Sequence, residues 1–353
     1  MIRLNSVAAS MKSPQSIMTR RRLLQAVTAG SILGPVCTQG AAPDAAAPSA
    51  TGSLRAGFAI DEVRVRLYSP QVTQPVKVVM LADTHLFRDD ERGAPFREYS
   101  GRMAKAYNQT RHFRTLQPTQ PEACFEETLQ TAQKEHAAAL FLVGDIVSFP
   151  SEAAIEWVQS RLTPLSIPWR YTAGNHDWHY EGLPGTSAEL RKEWSEKRLR
   201  PLHQGHDPLM SVLDVGGVRV VMLDNSTYEI QPEQLAFFKA QVATGKPLVL
   251  MVHIPLYAPG RPVGFGCGHP AWGAKVDKGF TIERRPPWRQ EGHTAVTLEF
   301  HREVFAAPNL LGVFAGHTHK ATLDVLNGIP QVVAGANATG AHLVIEVLPP
   351  PTV

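Results

Sequence analysis

Five apolar runs in this chain each stop at a short polar segment built from Asp, Asn, His and Gly, and this constrains the fold most. The segments are Asp83-Thr84-His85, Gly144-Asp145, Gly174-Asn175-His176-Asp177, His253 and Gly316-His317-Thr318-His319. The preceding runs, Val76 to Ala82, Leu140 to Val143, Trp169 to Thr172, Leu248 to His253 and Leu311 to Ala315, read as buried strands. Helical signals fall between them. Pro121 to Ala139 opens on Pro and sets Phe125, Leu129 and Ala132 on one face. Ser151 is placed to cap a helix whose stripe is Ile155, Val158 and Leu162. Ser187 to Leu199, Gln231 to Val242 and Leu298 to Phe305 are further helices. Val212–Val215 and Val218–Leu223 form a hairpin around Gly216-Gly217, and Val63–Leu67, Ala321–Leu326, Gln331–Ala334 and His342–Leu348 are also strands. This alternation is that of an α/β protein, whose ligands bind at the carboxyl ends of the strands.

The residue types at those ends carry a chemistry. Alternate residues of a strand share a face, so Asp83 and His85 are expected to aim at one ion, with His317 and His319 reaching the same cluster. Carboxylate, imidazole and amide oxygen suit first-row divalent metals, and no thiolate is among them. Asp83 and Asp145 neutralise only part of the charge of two such ions, which leaves a site that attracts phosphate. Gly144, Gly174 and Gly316 are expected to let loops approach the metals closely.

The order D-x-H, G-D, G-N-H-D, H, G-H-x-H, running from Asp83 to His319, resembles the complete signature of calcineurin-like metallophosphoesterases. The resemblance implies a four-layer αββα sandwich, two mixed β-sheets flanked by helices, over residues 54–353. It implies that Asp83, His85 and His319 hold one divalent transition-metal ion (Mn, Zn, Fe or Co), that Asn175, His253 and His317 hold a second, and that Asp145 bridges both. His176 would contact the phosphate and protonate the leaving oxygen, with Asp177 orienting its ring. The implied reaction is in-line attack of a metal-bridging hydroxide on a phosphomonoester or phosphodiester. One departure stands out: the purple acid phosphatase branch has Tyr at the third position after the G-D aspartate, where this chain has Ser148, so a tyrosinate-bound ferric ion is not expected. The rival reading is a catalytically inactive scaffold of the same fold, but such scaffolds typically lack a ligand or the catalytic histidine, and this chain has all of them.

Two long segments are placed to choose the substrate, expected to be a small-molecule phosphate ester. Residues 86–120 hold Arg88, Arg92, Arg97, Arg111, His112 and Arg114, either as a solvated insertion or with one Arg reaching a second phosphate. Residues 255–293 alternate Tyr257, Phe265, Trp272 and Trp288 with glycines, either as a self-packed loop or as a stacking surface, with His269 a further candidate. Trp178 and His179 are expected near the rim, and Asn337 in a tight turn.

The formal charge of +3 comes from the first 40 residues, which hold five basic side chains and no acidic one; the remainder has 30 basic against 32 acidic residues. A nucleic-acid partner is therefore not expected. Thr19-Arg20-Arg21-Arg22-Leu23-Leu24-Gln25 resembles a bacterial twin-arginine export signal, followed by a short apolar run and an Ala/Pro stretch. Residues 1–44 are read as that signal and linker, and the protein as exported to the periplasm or beyond. The apolar run is too short for a stable membrane span. Cys37 lies in the signal, and Cys124 and Cys267 are expected as free buried thiols.

Overall fold

Alternation within each apolar run decides which two layers it separates. In a computed structural model that describes residues 57–101, 103, 110–273 and 291–351, Val78, Met80 and Ala82 face one way from their strand, while Val79 and Leu81 face the other. The expected signal segment 1–44, Cys37 and Trp288 lie outside the described residues.

The strands are β1 (Gly57–Asp61), β2 (Arg64–Tyr68), β3 (Val76–Leu81), β4 (Thr110–Arg111), β5 (Pro118–Thr119), β6 (Ala139–Val143), β7 (Trp169–Thr172), β8 (Met210–Val215), β9 (Val218–Leu223), β10 (Leu248–Val252), β11 (Leu310–Ala315), β12 (Thr322–Leu326), β13 (Ile329–Val333) and β14 (Leu343–Leu348). One six-stranded sheet has the order β1-β2-β14-β3-β6-β7 and a second the order β12-β13-β11-β10-β9-β8. Both are mixed. β3, β6 and β7 run parallel, as do β9, β10, β11 and β13, while β8, β12 and β1 are antiparallel edge strands.

The sheets face each other across a core that includes Met80, Phe141, Val143, Val220, Met251 and Phe314. The outer face of the first sheet is covered by α1 (Pro121–Lys134), α2 (Glu152–Leu162) and α3 (Ser187–Trp194), through Phe125, Leu129, Ile155, Val158 and Trp194. The outer face of the second is covered by α4 (Pro232–Ala243) and α5 (Ala295–Ala306), through Phe238, Phe300 and Val304. This is the expected four-layer αββα sandwich. Strands buried on both faces explain why β6 and β10 read as unbroken apolar runs.

Several boundaries differ from expectation. The helix expected over Pro121 to Ala139 ends at Lys134, and Ala139 already opens β6. The helix expected over Ser187 to Leu199 ends at Trp194, and the ladder widens to a π-type turn over Ser195–Leu199. Pro201 follows, and it lacks the N–H that a regular turn would use there. α5 begins at Ala295 rather than Leu298, because the Thr294 side chain accepts from Thr297 N and caps it. The insertion 86–120, read as unperiodic, contains a 3₁₀ turn at Glu91–Phe96 and the two-residue ribbon of β4 and β5. Cys124 and Cys267 are buried free thiols. Among the described residues no helix is long and apolar enough to cross a membrane.

Phe141 is fully buried between the sheets. Phe141→Ala should cost about 3–5 kcal/mol in unfolding free energy, checked by urea denaturation. A loss below about 1 kcal/mol would mean that the two sheets do not share this core.

Candidate metal centre

The parallel strands deliver their carboxyl ends to one edge, where the chain leaves the sheets abruptly. Asp83 and His85 lie beyond β3, outside regular strand. Their backbones are left-handed, at φ 58° and 53°, and so are those of Asp145 (52°), His317 (70°) and His319 (58°). Strand alternation therefore does not bring these side chains together, as the sequence suggested; repeated left-handed residues do. A non-glycine residue in that region costs of order 1 kcal/mol or more, and persists only where its surroundings fix it.

Backbone bonds between the loops fix it here. Asp83 N donates to Gly144 O at 3.0 Å, His85 N to Asp145 O at 2.9 Å, and Gly316 N to His253 O at 2.9 Å. The His317 N–H donates to the Asp83 carboxylate at 2.9 and 3.1 Å. Gly174 lies so close to Asp145 that a Cβ there would overlap the Asp145 backbone nitrogen and carboxylate, so only glycine fits. Asn337, expected merely to shape a turn, is buried and braces the loop after β3: its Oδ1 accepts from Thr84 Oγ1 at 2.9 Å, and its Nδ2 donates to Thr128 Oγ1 at 2.8 Å. Ser148 donates its hydroxyl to His85 O at 2.8 Å.

Two groups of donors result. The ligand atoms of Asp83, His85 and His319 lie within 4.8 Å of one another, as do those of Asp145, His253 and His317. Asp145 Oδ2 sits 3.1 Å from His253 Nε2 and 3.9 Å from His85 Nε2, so one carboxylate oxygen faces both groups. His253 Nδ1 is 2.9 Å from Val143 O. With Nδ1–H donating to that carbonyl, the Nε2 lone pair points at a carboxylate, acceptor against acceptor. His85 Nε2 and His319 Nε2 are 3.0 Å apart, and His319 Nε2 is 3.4 Å from Asp83 Oδ1. Asp83, His85, Asp145 and His253 are all buried. So dense a set of buried lone pairs calls for a cation among them, and its oxygen and imidazole chemistry suits first-row divalent ions.

Protonation follows the same crowding. Burial keeps the His85 imidazole well below its ordinary range, so it is neutral and able to ligate. Burial also opposes charge on His253, but the Asp145 carboxylate overrides it and pushes the imidazole up to about 10. The Asp145 carboxyl is held well below the usual carboxylate range: burial raises it, and the surrounding imidazoles, His253 foremost, lower it further. A proton thus holds the place of a metal, and ion uptake must release it.

Asn175 is fully buried in the turn after β7, and the adjacent His176 is half-buried. His176 N donates to Asp145 Oδ1 at 2.7 Å, its ring lies 5.2 Å from that of His85, and its Nδ1 has no hydrogen-bond partner. Asp177 does not orient that ring. Its Oδ2 accepts from Gly174 N at 2.7 Å and Asp145 N at 2.8 Å, and its Oδ1 from Val147 N at 2.9 Å. Successive side chains of the turn point apart, so Asp177 ties the β6 and β7 loops from behind while His176 faces the donors. Trp178 and His179, expected at the rim, are buried, and Trp178 Nε1 donates to Ser226 Oγ at 2.8 Å. His269 packs against Tyr257, ring to ring at 4.2 Å, and its Nδ1 accepts from Ala271 N, which serves the loop.

The family model for calcineurin-like phosphoesterases matches residues 76–321, most of the chain and the whole of this constellation. The chain belongs to the calcineurin-like phosphoesterase family. No curated protein matches this phosphoesterase. Among solved structures, a dimetal phosphatase from Danio rerio is 12% identical with a TM-score of 0.47, covering 75% of this chain and 88% of that one. A purple acid phosphatase from yellow lupin (Lupinus luteus) seeds is 14% identical with a TM-score of 0.44, over 79% and 47%. The phosphopantetheinyl hydrolase of Mycobacterium tuberculosis is 12% identical with a TM-score of 0.39, over 80% and 99%.

One residue of this phosphoesterase site carries no motif. Tyr228 Oη lies 2.6 Å from His317 Nε2, and the Tyr228 ring stacks on Trp272 at 5.6 Å. A phenol oxygen accepting Nε2–H fixes the tautomer that offers His317 Nδ1 to an ion. Tyr228 stands in the loop after β9, which ends at Leu223, too far along for the strand-end pattern to single it out. Tyr228→Phe should weaken retention of a bound divalent ion by roughly 10–100-fold, measured by chelator competition. Unchanged affinity would show that the hydroxyl does not position His317.

Proposed function

We propose that this phosphoesterase is a two-metal phosphoric ester hydrolase acting on mono- or diesters of small molecules. The observation that carries this reading is Asp145 Oδ2 lying between the two donor groups, the position of a ligand shared by two ions. In this reading Asp83, His85 and His319 hold one ion, Asn175, His253 and His317 the other, and Asp145 both. Bound there, a pair of divalent ions supplies Lewis-acid charge and lowers the pKa of a coordinated water. The chain's own residues do the rest. The left-handed loops hold the ligands against relaxation, so little reorganisation is needed when charge develops. His176 faces the donor groups, its ring 5.2 Å from that of His85 and its buried Nδ1 without a hydrogen-bond partner, which suits donation to a phosphoryl oxygen or to the leaving oxygen. Asp177 acts through the backbone, keeping Asp145 and the turn that carries Asn175 and His176 in register.

A silent metal-binding scaffold is the weaker reading, because the ligand set is accompanied by His176, whose ring lies beside His85 with Nδ1 unpartnered. We further propose that residues 1–44 direct export, which the slightly acidic body beyond the basic leader accommodates.

The two catalytic-motif residues separate by experiment. On aryl phosphate and bis-aryl phosphate, His176→Ala should lower kcat by roughly 10²–10⁴-fold with metal content unchanged. Asp177→Asn should instead lower metal content and activity together, because an amide cannot accept all three backbone N–H groups as well. If His176→Ala keeps full activity, its assigned role is wrong.

A further inference from the structure

Of the arginines that the structure describes in the insertion 86–120, namely Arg88, Arg92, Arg97, Arg111 and Arg114, most are committed elsewhere. Arg92 is held by Asp90, Glu152 and Glu156, Arg97 by Glu91, and Arg111 donates to Leu116 O. Arg88 lies over the Trp157 ring. Arg114 is placed differently. It lines, with Phe113, a cleft of about 720 Å³ whose wall also includes the metal-site residue His319. The volume suits a small organic group rather than a folded protein surface.

The cleft is built rather than incidental. Phe113 N donates to Thr339 O at 2.9 Å, and Thr110 Oγ1 donates to Ala338 O at 2.8 Å, so the insertion is pinned to the loop between β13 and β14. Gly340, at φ +86°, lies against the His112 ring, and a Cβ there would overlap it. The floor is apolar, with Val63, Ala336 and Leu343. Above it the Arg114 guanidinium lies over the Phe113 ring, 5.0 Å from its centroid, and among the described residues it pairs with the exposed Glu62 at 3.2 Å. A flat aromatic wall beside a cation with most of its fork unused is the chemistry that recognises a planar ring bearing a second negative charge.

We propose that this cleft receives the alcohol portion of the substrate, and that the preferred esters carry a planar ring with a further anionic group there. Phe113 contacts the ring and Arg114 the anion, while the ester phosphorus sits at the metal centre beyond His319. This rests on the phosphoester reading above.

A panel of glyceryl, phenyl and 4-carboxyphenyl phosphates, each as monoester and as methyl diester, tests it. Phe113→Leu should lower kcat/KM about tenfold more for the two ring esters than for the glyceryl ester. Arg114→Gln should lower it about tenfold more for the 4-carboxyphenyl ester than for the phenyl ester. Both changes should fall on KM rather than kcat and leave metal content intact; Arg114 is exposed, so its variant folds whether or not the Phe113 variant does. If the wild type turns over the panel but both variants change every ester by the same factor, the cleft is not the substrate pocket, and the phosphoester reading stands. If the metal-loaded wild type hydrolyses no ester at all, both fall.

Discussion

Two carboxylates and four imidazoles occupy one buried corner of this molecule with their lone pairs converging, and the local structure depends on how that repulsion is resolved. Protons can satisfy part of it, as the raised His253 and lowered Asp145 indicate. Each proton bridges only one pair, His253 with Asp145 or His85 with His319, while the donor atoms crowd in groups of three. Divalent cations resolve it completely, each accepting several lone pairs where a proton bridges only two.

The fold makes this convergence possible by bringing together elements far apart in sequence. Asp83 and His319 are separated by most of the domain, yet they meet because β3 and β11 belong to facing sheets whose parallel strands end at one edge. Convergence then requires five left-handed residues, a conformation unfavourable for side chains of this size. Asp177 supplies much of the compensation: three backbone N–H groups from two loops are anchored on one buried carboxylate. Burial and the Asp145 charge push that carboxyl upward, and the backbone donors pull it back down. Metal loading would remove the opposing Asp145 field and tighten the same clamp.

Much of this was legible in the sequence. The apolar runs identified both sheets because strands buried on two faces leave a continuous signal, and the polar segments at their ends identified the ligands. What the sequence misread was direction. Asp83 and His85 look like strand alternation but are left-handed loop residues, and Asp177 looks like a partner for its neighbour His176 but points behind it. Period and adjacency report where side chains could go, whereas the tight GNHD turn decides where they do go. Tyr228 and Asn337 were missed or underrated for a related reason: each acts through one contact with a residue distant in sequence, and single tertiary contacts leave no local pattern. The arginine-rich insertion could not be sorted by composition either. What distinguishes Arg114 is its place on the cleft that His319 also lines, whereas Arg92 is held by several carboxylates, Arg88 lies over Trp157 and Arg111 donates to a backbone carbonyl.

The central claim is that this corner holds two ions sharing Asp145, and diffraction from crystals grown with Mn²⁺ tests it most directly. The account predicts two anomalous peaks, one within bonding distance of Asp83, His85 and His319, one within bonding distance of Asn175, His253 and His317, and the Asp145 carboxylate touching both. A single peak, or two peaks with Asp145 bound to neither, would contradict it.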